Sequence, residues 1–285
     1  MKRSLAPLFF LLFITTASQA IAELPHETAS KLLQLSGIAR QVEEFPRFIK
    51  AGMQQAQQQN TDPHDETFAD MLAIVDDAMD PARMLTSIGN DLMPALDEQQ
   101  TAQLLAWYSS NTGSRIASAE EHASTPEGYN EMLRQSESLL KNEARVEFAK
   151  RLDRLLGATD FTLQLHAHSQ LAIVSTLSSS LEKNAHEQLE RYQPYVEKLV
   201  EQLRADTEAF VVLSFVYSYK DISNEDLDRY MDFLATPAAE TFNVTTMKGL
   251  SEAFKDSISR LVKGISEIKG RRHNTITPSE NDILT

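Results

Sequence analysis

Leu96–Ile116, LDEQQTAQLLAWYSSNTGSRI, decides the fold, because the chain repeats its pattern 126 positions later as Ile222–Phe242, ISNEDLDRYMDFLATPAAETF. Leu96 falls opposite Ile222, Leu104 opposite Tyr230, Leu105 opposite Met231, Trp107 opposite Phe233, Tyr108 opposite Leu234 and Ile116 opposite Phe242. The register holds without a gap back to Asp80 and Asp206. Each copy opens as a helix start. An apolar residue precedes a capping residue, Asp97 or Ser223, and Gln100 or Asp226 stands three places on. A side-chain oxygen at the cap accepts first-turn amide protons, and the third residue can answer it. In the second copy Ile222 can also staple onto Leu227. Leu227, Tyr230, Met231 and Leu234 then share one helical face. In the first copy Leu104, Leu105 and Tyr108 keep those places and Thr101 is the weak one.

Both helices stop alike. Ser110-Asn111-Thr112-Gly113 and Thr236-Pro237-Ala238 each read as a break followed at once by a new helix, with Thr236 as cap and Pro237 as first helical residue, where the missing amide is harmless. A second echo supports duplication. Lys31-Leu32-x-x-Leu35-x-Gly37 returns as Arg151-Leu152-x-x-Leu155-x-Gly157, 120 positions on, so one half carries a six-residue length difference before the main motif. Two echoes in the same order predict an all-α chain with a tandem duplicated helical repeat, forming one or two helical bundles. The divisions expected are 1–22 as leader, 23–145 and 146–270 as the two repeats, and 271–285 as a flexible tail. Asp80–Ile116 is expected to superpose on Asp206–Phe242.

The motif resembles that of the DUF2059 family of small bacterial envelope proteins, whose hallmark runs roughly T-x-E-E-L-x-x-L-x-x-F-Y-x-S-P-x-G. The first copy keeps the aromatic pair Trp107-Tyr108, Ser110 and Gly113, with Asn111 in the proline place. The second keeps Phe233 and Pro237, with Leu234 for the tyrosine and Ala239 for the glycine. The resemblance implies a helical envelope protein and little about chemistry.

Away from the motif, the helical reading continues. Glu27–Gly37 is a short helix stopped by Gly37. Ile38, Val42, Phe45 and Ile49 form a helix seam that Pro46 should kink or restart. Gln54–Asp62 is a polar spacer or a frayed helix end. Phe68, Met71, Leu72, Val75 and Met79 mark the next helix, and Asp80-Pro81 caps and opens another through Met84, Leu85 and Ile88. A long helix is expected from Glu127 to Gly157, and another over Leu163–Leu181. Tyr192, Tyr195, Val196, Leu199, Val200 and Leu203 make the cleanest amphipathic face. Phe210–Tyr219, FVVLSFVYSY, has a strand-like composition, but its counterpart Met84–Met93 reads helical, so a buried helix is expected. A last helix carries Phe254, Ile258, Leu261, Ile265 and Ile268 and ends at Gly270.

The chain has 285 residues, 42% hydrophobic, with only 9 glycines and 10 prolines and a formal charge of −14. Met1–Ala22 reads as a secretion signal: Lys2 and Arg3, an apolar run over Leu5–Ala17, and Ala20-Ile21-Ala22 before Glu23, with cleavage after Ala20 as the near alternative. The apolar run is short for a membrane span, so no transmembrane segment is expected after signal removal. Removing Lys2 and Arg3 leaves 25 basic against 41 acidic residues. So acidic a surface disfavours nucleic acid, whose binding rests on neutralised phosphates, and simple adsorption to anionic lipid. No cysteine is present, which rules out disulfide stapling and a lipid anchor on a lipobox cysteine.

Candidate chemistry is thin. His166, His168 and His186 are the only histidine cluster, and residues two apart on a helix point away from each other rather than chelating as i, i+4 pairs do. Ser178-Ser179-Ser180 lacks the strained turn that activates a serine nucleophile. The paired carboxylates Glu43-Glu44, Asp76-Asp77 and Glu120-Glu121 read as solvated. Asn243-Val244-Thr245 fits a glycosylation sequon that matters only in a eukaryotic secretory pathway. Trp107 and Tyr108 read as core, packed against the helix after Gly113. No catalytic, cofactor-binding or metal residue is therefore assigned, no cofactor is expected, and the ligand-binding residues and oligomeric state are left open. The expectation is a periplasmic or secreted, non-enzymatic module that binds a small apolar ligand between its repeats or another protein. An envelope hydrolase with an unrecognised active site is the alternative.

Overall fold

A computed structural model describes residues 26–58, 67–179 and 185–276, and these form helices with no strand among them. The chain is all-α. The leader 1–22, the end of the polar spacer and residues 277–285 lie outside the described residues, as do the side chains of Ser178, Ser179, His186 and Tyr192 and the whole of Ser180. No helix among the described residues is long and apolar enough to cross a membrane.

The helices fall where the local chemistry places them. Helix α1 (His26–Leu35) ends at Gly37, and α8 (Glu143–Leu156) ends at Gly157. These two glycines, with φ of 80° and 64°, are the only described residues in the left-handed region, which glycine enters without steric penalty. Helices α2 (Ile38–Gln58) and α9 (Ala158–Ser179) follow at once. Helix α4 (Pro81–Ala95) opens on Asp80, whose side chain accepts from the Ala82 N–H. Three breaks share one construction. Ser110 Oγ accepts from Gly113 N–H at 3.0 Å, Thr125 Oγ1 from Gly128 N–H at 3.0 Å, and Thr236 Oγ1 from Ala239 N–H at 3.3 Å. They open α6 (Asn111–Ala123), α7 (Pro126–Leu139) and α13 (Pro237–Ile276).

The stretch Phe210–Tyr219 is helical. It lies in and at the end of α11 (Arg204–Ser218), where Val211, Val212, Leu213, Val216 and Tyr217 are buried. Burial on a helical face accounts for its β-branched composition, since tertiary packing overrides propensity.

Other expectations need correction. Helix α2 runs through Pro46 unbroken. Val42 and Pro46 are buried, and Phe45 meets Phe254 edge-on at 6.3 Å, so packing holds the helix across the lost hydrogen bond. The helix expected from Glu127 to Gly157 is two, because Asn142 caps α8 by accepting from Arg145 N–H at 3.2 Å. Helix α13 does not stop at Gly270 but reaches Ile276. On α10 (Ala185–Glu201), Val196 and Val200 are buried, whereas Tyr195 and Leu199, with Leu203 just beyond, are exposed. Only one edge of that amphipathic stripe meets α9, which is its neighbour.

The two motif copies lie in register as elements. Helix α5 spans Glu98–Tyr108 and α12 spans Asn224–Leu234, so the 126-residue shift carries one onto the other, and it also carries the start of α6 onto that of α13. Helix α1 packs on α4 as α8 packs on α11, and α2 packs on α4 as α9 does on α11. The copies also cross-pack reciprocally. Trp107 stacks on its own counterpart Phe233, centroids 4.3 Å apart. Gln100 Nε2 donates to Thr241 Oγ1 at 3.4 Å, and the positions equivalent to those two pair again as Arg115 Nη1 to Asp226 Oδ2 at 3.1 Å. This exchange, in which residue i meets j while the residues 126 places from each also meet, has the form of an isologous contact between two stretches of one chain. The largest core cluster accordingly mixes both halves, with Leu32, Ile88, Leu92 and Leu104 joined to Leu152, Tyr219, Phe233 and Phe242. Asp97 and Gln100 form the reciprocal capping box expected of them. Asp226 does not: Ser223 caps its amide, but its carboxylate turns to Thr112, Arg115 and the Ser223 hydroxyl.

Candidate functional site

Ile116 and Ala117 place one face of α6 in the core, and Glu120 follows Ile116 by four residues, on the same face. Adjacent helical positions diverge by about 100°, so in each acidic pair one member can turn inward. Here the solvated reading fails twice. Glu44 is buried at 7% exposure and held by Arg47 through two contacts of 2.7 Å. Glu120 keeps partial exposure as a residue, but its carboxyl group is enclosed. Asp76 and Asp77 remain at the surface, where Asp76 pairs with Lys50 at 2.6 Å.

The enclosure comes from the other copy. Tyr219, at the end of α11, donates its hydroxyl to Glu120 Oε1 at 2.5 Å, and Tyr230 on α12 donates to the same oxygen at 2.9 Å. Tyr219 is 1% exposed and Tyr230 7%. Burial raises the Glu120 carboxyl above its ordinary 4.5, the two phenol hydrogen bonds pull it back, and the charge of Glu121 pushes it up further. Burial first, and the Glu120 charge second, raise Tyr219, Tyr230 and Tyr108. The phenols therefore stay protonated and serve as donors. Among the described residues no cationic side chain contributes to the environment of Glu120.

These groups line a cavity of about 300 Å³ between the halves, with Ile38 from α2, Phe161 from α9, Phe215 from α11 and Met247 from α13 among its apolar walls. Ser214 and Ser218 add hydroxyls, and Asn243 of the sequon faces it too. A more open groove of about 680 Å³ between α9 and α13 shares the walls Leu156, Phe161 and Met247. His168 and Lys255 line that groove, and burial together with the Lys255 charge lowers the His168 imidazole.

No protein-family model, curated protein or solved structure matches this chain. The site stands on its own geometry.

The histidines singled out by sequence do not converge. His166 is exposed, His168 is partly buried two positions on, and the side chain of His186 is outside the described residues. No group of three or more candidate metal ligands exists among the described residues. Helix α9 ends at Ser179, within the serine run. Trp107 is partly buried rather than core, and its Nε1 is enclosed without a hydrogen-bond partner. Its ring stacks on Phe233 and Tyr230 of the opposite stretch, while Tyr108 meets Phe233 edge-on and Phe242 at a tilt. Helix α6 does pack on α5, but it carries no Phe, Tyr or Trp, so the aromatic partners of this pair come from the second stretch.

Sequence reasoning missed Glu120, Tyr219 and Tyr230 as a set. The period of α6 could have flagged Glu120, since it falls one turn after Ile116. Nothing local could have joined it to tyrosines about a hundred positions away.

Proposed function

We propose that this protein is an exported bacterial envelope protein, a degenerate relative of the DUF2059 proteins, that binds a small and largely apolar molecule between two duplicated helical units without transforming it. The single observation carrying this reading is the inter-half cavity, where a carboxyl group and phenol hydroxyls converge among apolar walls, the usual composition of small-molecule sites. Its volume sits at the lower end of the ~300–1,000 Å³ usual for such pockets. The leader-like Met1–Ala22 supports export, and the acidic balance supports a dispersed protein in an aqueous compartment. The shared element register, the two left-handed glycines and the reciprocal crossing support duplication.

An envelope hydrolase is the second reading, because a raised carboxyl in a cavity is also what general acid–base chemistry uses. Against it, burial and the Glu120 charge hold both phenols well above their ordinary 10.0, so neither supplies a phenolate nucleophile.

The test is a titration of the mature protein with a neutral hydrophobic dye, read by dye emission and by Trp107, which stacks on Tyr230 in the cavity wall. Saturable binding at one site, with no turnover of ester, peptide or glycan substrates, is expected. Turnover abolished by one polar substitution would establish the hydrolase instead. Intact mass of exported protein should begin at Glu23.

A further inference from the structure

Three features compete for a further function: the open groove along α13, the exposed apolar edge of α10, and the enclosed carboxyl in the inter-half cavity. The groove carries both Asp160 and Glu252 and both Lys248 and Lys255, so its charge selects nothing. The edge of Tyr195, Leu199 and Leu203 has no feature that identifies what covers it. The cavity has one.

A buried carboxylate is stable when paired with a positive charge or neutralised. Among the described residues no lysine, arginine or histidine lines the cavity or acts on Glu120. The titratable groups that face it are Glu121 on its own helix, Tyr108 on α5, Tyr219 at the end of α11 and Tyr230 on α12. All are acids. Both hydrogen bonds that its carboxyl group accepts from described residues fall on Oε1, so Oε2 keeps its accepting capacity. Around it stand the rings of Tyr108, Phe161, Phe215, Tyr219, Tyr230 and Phe242, whose faces carry partial negative charge and attract organic cations.

The polar cluster is not what the crossing of the two copies requires. The places 126 positions away from Glu120, Tyr219, Tyr230 and Tyr108 are held by Thr246, Met93, Leu104 and Leu234. Thr246 is 3% exposed and Leu104 fully buried. Those four places hold three apolar side chains and a single hydroxyl, with no carboxyl group among them.

We infer that the cavity binds an organic cation with an apolar body, an amine or quaternary ammonium whose charge faces Glu120 and whose alkyl or aryl part lies against the surrounding rings. This deepens the small-molecule reading and rests on it. The excess of acidic residues favours approach of such a ligand and disfavours an anionic one. The cation supplies the counter-charge that the protein itself omits, so its binding favours the ionised form of Glu120.

The experiment uses the mature full-length protein and three probes of matched chain length: hexyltrimethylammonium, hexanol and hexanoate. Each is titrated by displacement of the neutral dye and by calorimetry, from about pH 4 to about pH 9, a range spanning ordinary and raised carboxyl values. Once Glu120 is ionised the cation should bind about tenfold or more tighter than the alcohol, with hexanoate, ionised at the same pH, weakest. The cation-to-alcohol ratio should climb with pH and then level as Glu120 ionises. In Glu120→Gln, which keeps an acceptor for both phenols, the cation-to-alcohol ratio read by calorimetry should fall to near one at every pH. The pH profile of the unsubstituted protein tests the same point should that variant fail to fold. Equal binding of cation and alcohol at every pH would overturn the inference and leave the small-molecule reading standing. A dye that finds no saturable site would overturn both.

Discussion

Glu120, Tyr219 and Tyr230 on one side, and Thr246, Met93 and Leu104 on the other, stand 126 positions apart in two stretches of similar helical pattern. The first set surrounds a cavity with a carboxyl group and two phenols. In the second, Thr246 and Leu104 are nearly or fully buried, and Leu104 and Met93 pack in or against the main core. The difference separates what the fold requires from what it merely tolerates. Apolar packing closes a crossing between copies, so the polar version must be carried by stability from elsewhere, as functional sites usually are.

Substitutions at the paired positions sharpen that contrast. Leu104→Ala should destabilise most, by about 3–4 kcal/mol, the range for a buried leucine left with a cavity. Its counterpart change Tyr230→Phe, which removes only a hydroxyl, should cost about 1 kcal/mol. Urea denaturation of both would break the comparison if the losses were reversed.

Trp107→Ala comes next. The ring is only partly buried but stacks on Phe233 and Tyr230, so a loss of about 2–3 kcal/mol is expected, below that of fully buried aromatics. Phe233→Ala, made at the buried counterpart, should lose more. A smaller loss at Phe233 in the same urea series would remove the asymmetry proposed for the crossing.

Acid should act on the reciprocal contact pair. Asp226 is held below its ordinary 3.8, first by the Thr112 and Ser223 hydroxyls and then, against the opposing effect of burial, by Arg115 and Arg229. A depressed carboxyl lends stability that is complete above its unfolded value and lost as pH falls through its folded one. Melting followed below about pH 4 should therefore be steeper in the native protein than in Asp226→Asn. Identical acid limbs would show that Arg115 and Thr112 contribute no specific hold.

Glu120 should behave with the opposite sign, and as the smallest effect. Its raised carboxyl means that the folded, empty protein binds its proton more tightly than the unfolded chain does. The resulting stability is present below the ordinary 4.5 and fades as pH rises through the folded value. Glu120→Gln should flatten that decline and leave the empty protein at least as stable at neutral pH. A melting curve in which the glutamine form is weaker at neutral pH would mean that the carboxylate is already paired.

Much of the fold was legible in the chain because its causes are local. Asp97 with Gln100, Asp80 with Pro81, and Gly37 and Gly157 each act within a few residues, through capping oxygens or a left-handed φ. Apolar periodicity added the helices, and the 126-residue echo added their correspondence. Errors came where a local rule met a distant contact. Pro46 should have broken α2, but the burial around it prevailed. At Asn142 the reverse happened, since a cap hidden in an apolar pattern divided α7 from α8.

The amino-acid order alone determined that this chain would be helical, where most helices start, and which segments resemble each other. Tertiary structure alone decided that Trp107 would stack on its own counterpart rather than within its unit, and that Glu120 would face two phenols instead of water. Capping and periodicity act over one or two helical turns and leave a trace in spacing. Hydrogen bonds between residues 99 and 110 positions apart depend on how the two copies cross, and no spacing within either copy encodes that angle.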